Sequence, residues 1–355
     1  MKSGPFENHI LLGDALDMLR TLPDECAQMC VTSPPYWGLR DYWVDGQIGQ
    51  EKTLNEYVAR LVEVFREVRR VLRDDGTLWL NLGDGYNAAG RQGHGTRIGY
   101  KQSTNRASAT DADSNRPTDV SLKPKDLIGI PWRVAFALQA DDWYLRSDII
   151  WHKSNPMPES VKDRPTKSHE YLFLLSKRPS YYFDGDSIKV KSSPDSHARY
   201  AQGRSGHHKW ADGGPGNQTI AKTFAHVRVP GVNPKCALPG SGIKQNTSFS
   251  AACKDLVDFR NCRTVWTLAT AACSEAHFAT FPKALVEPCV LAGSRIGDIV
   301  FDPFMGSGTV AIVAQNLGRK WIGIELNPDY KAMAERRIAK ECAQMNMFHT
   351  ERKGI

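Results

Sequence analysis

Between Met29 and Trp37 the chain passes from an apolar stretch, Met29-Cys30-Val31, directly into Thr32-Ser33-Pro34-Pro35-Tyr36-Trp37. The apolar stretch reads as a buried strand. Two prolines stop it, because neither has an N–H to donate and each fixes its own φ. Ser33 precedes a proline and is biased to extended geometry. The outcome is a stiff turn at the carboxyl end of a strand, where open α/β sheets place their ligands. The turn presents one hydroxyl, backbone carbonyls that no helix consumes, and two aromatic faces. Those groups suit a flat polar ring bearing an amino group, with the aromatics stacked on the ring and the oxygens accepting its N–H donors. A plain proline turn over a packed aromatic has the same sequence, so the weight falls on a second, distant stretch.

That stretch is Phe301–Thr309. Asp298-Ile299-Val300-Phe301 reads as a buried strand and Asp302-Pro303-Phe304-Met305-Gly306-Ser307-Gly308-Thr309 as the turn after it. Val310–Leu317 continues as a helix closed by Gly318, and Lys320–Ile324 is the next strand, with Glu325 at its tip. Asn327-Pro328 is an N-cap followed by proline at the first helical position, opening a helix over Tyr330–Met345. Strand, glycine turn, helix, strand, acid is the logic of a nucleoside site. Glu325 lies sixteen to nineteen positions beyond Gly306–Thr309, close to the spacing of about 20 at which an acid holds ribose hydroxyls. No lysine follows the glycines, which excludes a P-loop, and a full GxGxxG is absent, which disfavours a dinucleotide. An acid within the turn, Asp302, suits a ligand with a cationic amino group. S-adenosylmethionine carries an amino group, a ribose and an adenine, and fits these residues.

The remaining chain reads as α/β with two interruptions. Ile10-Leu11-Leu12 is a short strand, and Asp14 in Gly13-Asp14-Ala15-Leu16 stands either as a helix cap or as a ligand group. Thr53 and Glu56 form a capping box for a helix with apolar residues at Val58, Leu61, Val62, Phe65, Val68 and Leu72, ended by Gly76. Thr77–Leu82 reads as a strand, with Gly83-Asp84 at its end. Lys125–Gln139 reads as a helix bent at Pro131. Tyr144–Trp151 and Tyr171–Leu175 read as strands, and for His169-Glu170 a structural hydrogen-bond role is favoured over a catalytic dyad. Residues 88–119 are polar and basic, a composition that cannot build a core and that reads as a mobile insertion or a loop closing over a phosphate backbone. Residues 184–263 are rich in Gly, Pro, Ser, His and basic residues, and read as a separate lobe or a loop-rich insertion. Arg and Lys of such a lobe hold phosphates and read guanine edges.

Thr-Ser-Pro-Pro-Tyr-Trp followed far downstream by Asp-Pro-Phe-Met-Gly-Ser-Gly-Thr resembles the amino-directed DNA methyltransferases, which methylate N4 of cytosine or N6 of adenine. The motif order resembles their β-type circular arrangement. The resemblance implies a doubly wound, mostly parallel, Rossmann-like α/β sheet. It also implies a methyltransferase domain built from residues 8–183 and 276–345, with a target-recognition region at 184–263. It further implies that Ser33, Pro34, Pro35 and Tyr36 hold the target base. Phe301, Asp302, Phe304, Gly306, Ser307, Gly308 and Thr309 would line the S-adenosylmethionine pocket, with Glu325 on the ribose and Asp14 in a further cofactor-side motif. The serine form of the catalytic turn resembles cytosine-N4 enzymes most, and adenine enzymes carry it too, so both bases stay open. More distant alternatives are RNA or protein as the methyl acceptor. The expected macromolecular partner is double-stranded DNA, with a homodimer and a cognate restriction endonuclease left open.

The chemistry needs no covalent intermediate: two acceptors on the amine, Ser33 Oγ and the Pro34 carbonyl, aim its lone pair at a sulfonium methyl. The base has to leave the duplex stack at a cost of a few kcal/mol. Stacking on Tyr36 returns about 1–3 kcal/mol of that. Composition is compatible with this reading: 355 residues at a formal charge of +7 suit, without requiring, an anionic partner. The polar start, Met1–Asn8, does not read as a signal peptide, and no apolar run reaches the ~20 residues of a membrane span. A cytoplasmic location is expected. The eight cysteines contain no CxxC pair, which disfavours a zinc site from Cys236, Cys253 and Cys262; no metal is expected.

Overall fold

Strand β2 (Ala27–Thr32) is buried along its whole length, and the molecule is layered around it. In a computed structural model, residues 6–38, 44, 46–87, 121–192, 259–270 and 281–351 are described. The expectations placed on 88–119, on most of 184–263, and on Cys236 and Cys253 fall outside them. The chain divides into two compact units, Met1–Ile188 with Arg263–Ile355, and Lys189–Cys262. Among the described residues the second unit consists of a short antiparallel pair, Val190–Lys191 against Phe259–Arg260.

The first unit carries an eight-stranded sheet. Numbered along the chain, its elements are β1 (His9–Leu12), α1 (Ala15–Thr21), β2, α2 (Leu54–Val71), β3 (Leu72–Leu82), α3 (Ile130–Ala140), β4 (Tyr144–Lys153) and β5 (His169–Ser176). After the pair of the second unit, β6 and β7, come β8 (Val265–Leu268), α4 (Lys283–Gly293), β9 (Ile299–Asp302), α5 (Thr309–Asn316), β10 (Lys320–Glu325) and α6 (Pro328–Glu351). The strand order is β1-β10-β9-β2-β3-β5-β4-β8. Every neighbouring pair is parallel except those made by β5, which runs against β3 and β4. The expected doubly wound, mostly parallel α/β sheet is therefore what forms.

Alternation of side chains along the strands serves two helical layers. Cys30, Leu78, Leu80, Phe173, Phe301 and Ile322 join the core that α1, α2 and α3 cover. On the other side Gly293 of α4 lies against Met29 and Trp79, so closely that a Cβ there would meet both at about 3 Å.

Two boundaries differ from the sequence reading. Helix α2 stops at Val71, not at Gly76, because Leu72 turns extended and pairs with Ala27 of β2. Gly76 instead sits inside β3, where a Cβ would come within 2.9 Å of two carbonyl oxygens, those of Arg73 and Gln28. Pro131 does not bend a helix begun at Lys125; it lies in the first turn of α3, where a missing N–H costs nothing. The cap of α3 comes from elsewhere: Asp84 Oδ1 accepts from the N–H groups of Gly129 and Ile130 at 3.0 and 3.1 Å. No helix among the described residues is long and apolar enough to cross a membrane.

Candidate active site

Four neighbouring parallel strands, β1, β10, β9 and β2, end at one cavity. Each tip contributes a wall: Gly13-Asp14-Ala15 after β1, Glu325-Leu326-Asn327 at β10, Pro303–Ser307 and Thr309 after β9, and Ser33-Pro34-Pro35-Tyr36 after β2. Val44, Gly46-Gln47-Ile48, Phe281, Ile324 and Tyr330 complete the lining. The two stretches singled out in the sequence thus face one space, because β2 and β9 pair directly through Met29–Val300 and Cys30–Phe301.

The Ser-Pro-Pro-Tyr turn is held rigidly. Tyr57 of α2 donates its hydroxyl to the Pro35 carbonyl at 2.9 Å, and Trp37 donates its indole N–H to the Glu51 carbonyl at 2.9 Å. The Tyr36 ring lies over Gly83, where any Cβ would stand 2.6 Å from ring atom Cε2. Burial, with the Glu170 carboxylate beside it, pushes the Tyr36 phenol well above its usual range.

On the other wall Gly306 takes a left-handed φ of 51°, and its N–H donates to Glu325 Oε2 at 2.8 Å. Glu325 Oε1 accepts from the Asn327 N–H at 2.9 Å. Both contacts are to one oxygen lone pair each, so the carboxylate keeps acceptor capacity towards the cavity. Burial raises the Glu325 pKa, and the backbone N–H donors oppose that. Asp14 caps α1 through the Leu16 and Asp17 N–H groups at 2.9 and 3.2 Å, and it also lines the cavity.

Three residues expected at the pocket do not line it. Phe301 is fully buried in the core among α1–α3, since its side chain points off the sheet face, not along the strand tip. Asp302 is buried and turned to β2, where its Oδ1 accepts from Thr32 Oγ1 at 2.6 Å and from Phe304 N–H at 3.0 Å. Gly308 caps α5 at a left-handed φ of 78° and packs against Ala334 and Ile338 of α6. The glycine there answers a helix contact, not a ligand approach.

The sequence reading did not assemble the group behind Tyr36. Glu170 of β5 accepts from the Tyr36 hydroxyl at 2.9 Å, from Asn81 Nδ2 at 3.0 Å and from Lys153 Nζ at 2.5 Å. The signal was an acid opening an otherwise apolar strand; its partners, on β3, β4 and the turn after β2, have no fixed spacing from it.

Residues 27–336 match the family model described as DNA methylase, of the N6/N4 class. The chain is 45% identical over 329 residues to the type II methyltransferase M.Cfr9I of Citrobacter freundii, covering 93% of this chain and 87% of that one. It is 44% identical over 331 residues to M.SmaI of Serratia marcescens, covering 93% and 90%. Among solved structures, the cytosine-N4-specific PvuII DNA methyltransferase superposes with a TM-score of 0.56 at 16% identity, covering 95% and 94% of the two chains. A DNA modification methylase described as putative, from Thermus thermophilus and solved with S-adenosyl-L-methionine, superposes at 0.52 with 22% identity, covering 94% of each. Those two likenesses repeat the fold derived above, while the family model and the two curated relatives carry the assignment: this chain belongs to the N6/N4 family of DNA methylases.

Proposed function

We propose that this chain methylates the N4 amine of a cytosine flipped out of double-stranded DNA. The observation that carries the reading is the meeting of Ser33–Tyr36 and Glu325 across one cavity, at the tips of β2 and β10 on either side of β9. The cavity fits S-adenosylmethionine by its donor set. Glu325 and Asn327 offer acceptors for ribose hydroxyls, Asp14 a further carboxylate, and Phe304 and Tyr330 aromatic faces for the adenine. S-adenosylmethionine supplies the sulfonium methyl when bound. The chain's own residues prepare the acceptor. Ser33 Oγ and the Pro34 carbonyl take the amine hydrogens, which frees a lone pair otherwise delocalised into the ring. Tyr36 stacks on the base, and the Tyr57 bond to Pro35 keeps the turn from yielding. The serine at the head of the turn favours cytosine. The segment between β5 and β8, rich in Arg, Lys and His, is proposed to read the target sequence. A single titration tests that role: DNA affinity should fall steeply with salt, as phosphate contacts require.

The decisive experiment is mass spectrometry of nucleosides from DNA treated with the purified chain and labelled S-adenosylmethionine. N4-methylcytosine is the expected product. N6-methyladenine would reassign the base while retaining the site, and label appearing only in RNA or protein substrates would overturn the DNA reading.

A further inference from the structure

We propose that Glu170 is a positioning residue that fixes the direction of hydrogen bonding at Ser33, so that Ser33 meets the base as an acceptor. The inference rests on the base-amine reading above and deepens it. Every partner of the Glu170 carboxylate is a donor. Lys153 Nζ stands at 2.5 Å from Oε1, and the Tyr36 hydroxyl and Asn81 Nδ2 at 2.9 and 3.0 Å from Oε2. The Glu170 and Lys153 side chains are only 14% and 21% exposed, so water does not readily substitute for these partners. Lys153 is further held over the Trp151 ring, 4.6 Å from its centroid.

A phenol has one proton to give. Tyr36 gives it to Glu170, so its oxygen faces Ser33 as an acceptor. Ser33 Oγ lies 3.4 Å away and donates its own proton to Tyr36. What Ser33 then has left for the cavity is lone pairs. An amine that must be stripped of electron demand needs those lone pairs; a serine turned the other way would present its proton to the amine nitrogen and oppose the reaction. Glu170, which lies outside the cavity lining, thereby sets the polarity of a group that lies in it.

Glu170→Gln tests this. The Lys153 ammonium is the strongest donor present and would hold the amide oxygen. That turns the amide NH2 to Tyr36, and the chain of donors runs backwards to Ser33. We expect kcat to fall roughly 10- to 100-fold, with the dissociation constant for S-adenosylmethionine unchanged within about twofold. Lys153→Met combined with Glu170→Gln removes the competing donor, returns the amide oxygen to Tyr36 and Asn81, and should regain most of the lost kcat. A merely structural role predicts the opposite, a double variant slower than either single one. An unchanged kcat in Glu170→Gln, or no recovery in the double variant, overturns the proposal. Should Glu170→Gln fail to fold, Tyr36→Phe keeps the ring and breaks the same chain. It is expected to show the same kcat loss with cofactor binding retained, and full activity there overturns the proposal equally. The wild-type chain in the same assay separates the two levels. No amine methylation by it removes the underlying reading, whereas methylation by it alongside any overturning result removes this inference alone.

Discussion

Thr32 and Asp302 lie 270 positions apart in the chain, yet the Thr32 hydroxyl donates a 2.6 Å hydrogen bond to the Asp302 carboxylate. They are the last residues of β2 and β9, neighbouring strands of the sheet. One buried polar link thus joins the residue before Ser33 to the residue before Pro303, and the two walls of the cavity are registered through it. The same oxygen accepts the Phe304 N–H at 3.0 Å, so the link also shapes the first residues of the opposite turn.

Burial pushes the Asp302 carboxyl up to about 7; the Thr32 and Phe304 bonds pull it down by less, and Glu325 nearby pushes it further up. In the unfolded chain it titrates near 3.9, at roughly the ordinary value. The folded protein therefore holds the proton between those values, and its stability falls as pH rises across that window. From this group alone the fall reaches about 4 kcal/mol, and it is flat above the window. Asp302→Asn keeps a carbonyl oxygen for both donors and removes the charge. Its melting temperature should exceed that of the wild type at pH 8, with the gap closing as pH falls through the window. Asp302→Ala leaves both donors without an acceptor and should lose about 2–4 kcal/mol. Calorimetry across the pH series checks both, and a pH-independent gap for Asp302→Asn would contradict the assignment.

Glu325→Gln should weaken S-adenosylmethionine binding by roughly 10- to 100-fold, the worth of a hydrogen bond to a charged group. An amide has one acceptor oxygen, so it cannot serve Gly306 N–H, Asn327 N–H and a ribose together. Isothermal titration calorimetry measures this directly, and undiminished affinity would move the ribose elsewhere in the cavity.

Gly83→Ala places a methyl 2.6 Å from Tyr36 Cε2. The ring has to shift, since real Cβ atoms do not approach so closely. Turnover should drop by at least about tenfold, as misplacement of a positioned group does, while cofactor affinity holds. Single-turnover kinetics with a parallel binding measurement distinguishes this from general unfolding.

Gly308→Ala should cost about 1–3 kcal/mol, because φ at 78° is strained for any residue with a Cβ. The added methyl would also press on Ala334 and Ile338 at 3.2 Å. Urea denaturation measures the loss. The folded fraction should bind S-adenosylmethionine within about threefold of wild type; lost binding in a stable variant would return Gly308 to the ligand.

What the sequence made legible was punctuation. Pro34-Pro35 stops a strand and Gly306-x-Gly308 turns the chain into a helix in ways that local chemistry dictates, and an acid at a strand tip, Glu325, follows at a regular interval. These features lie within a few residues of what they determine. The pairing of Thr32 with Asp302, the cap that Asp84 supplies to α3, and the convergence of Lys153, Asn81 and Tyr36 on Glu170 are set by strand order. No spacing in the chain encodes that order. Helix α2 shows the same limit at its end: Arg73 and Asp74 are compatible with another turn, and the pairing of Leu72 with Ala27 overrides them. Phe301 and Asp302 were drawn to the pocket by their place in a motif, while the pleat of β9 and the neighbouring β2 take their side chains away from it.

The adjacency of β2 and β9 also sets a schedule. At ribosomal rates the Ser33–Tyr36 turn emerges roughly 15–50 s before β9 is made. During that interval the strand that carries it has an open edge and no opposite wall. A growing chain therefore holds half of a nucleoside pocket and cannot bring a methyl group to a base. The two walls of the cavity can meet only after β9 and β10 have been made and β9 has paired with β2.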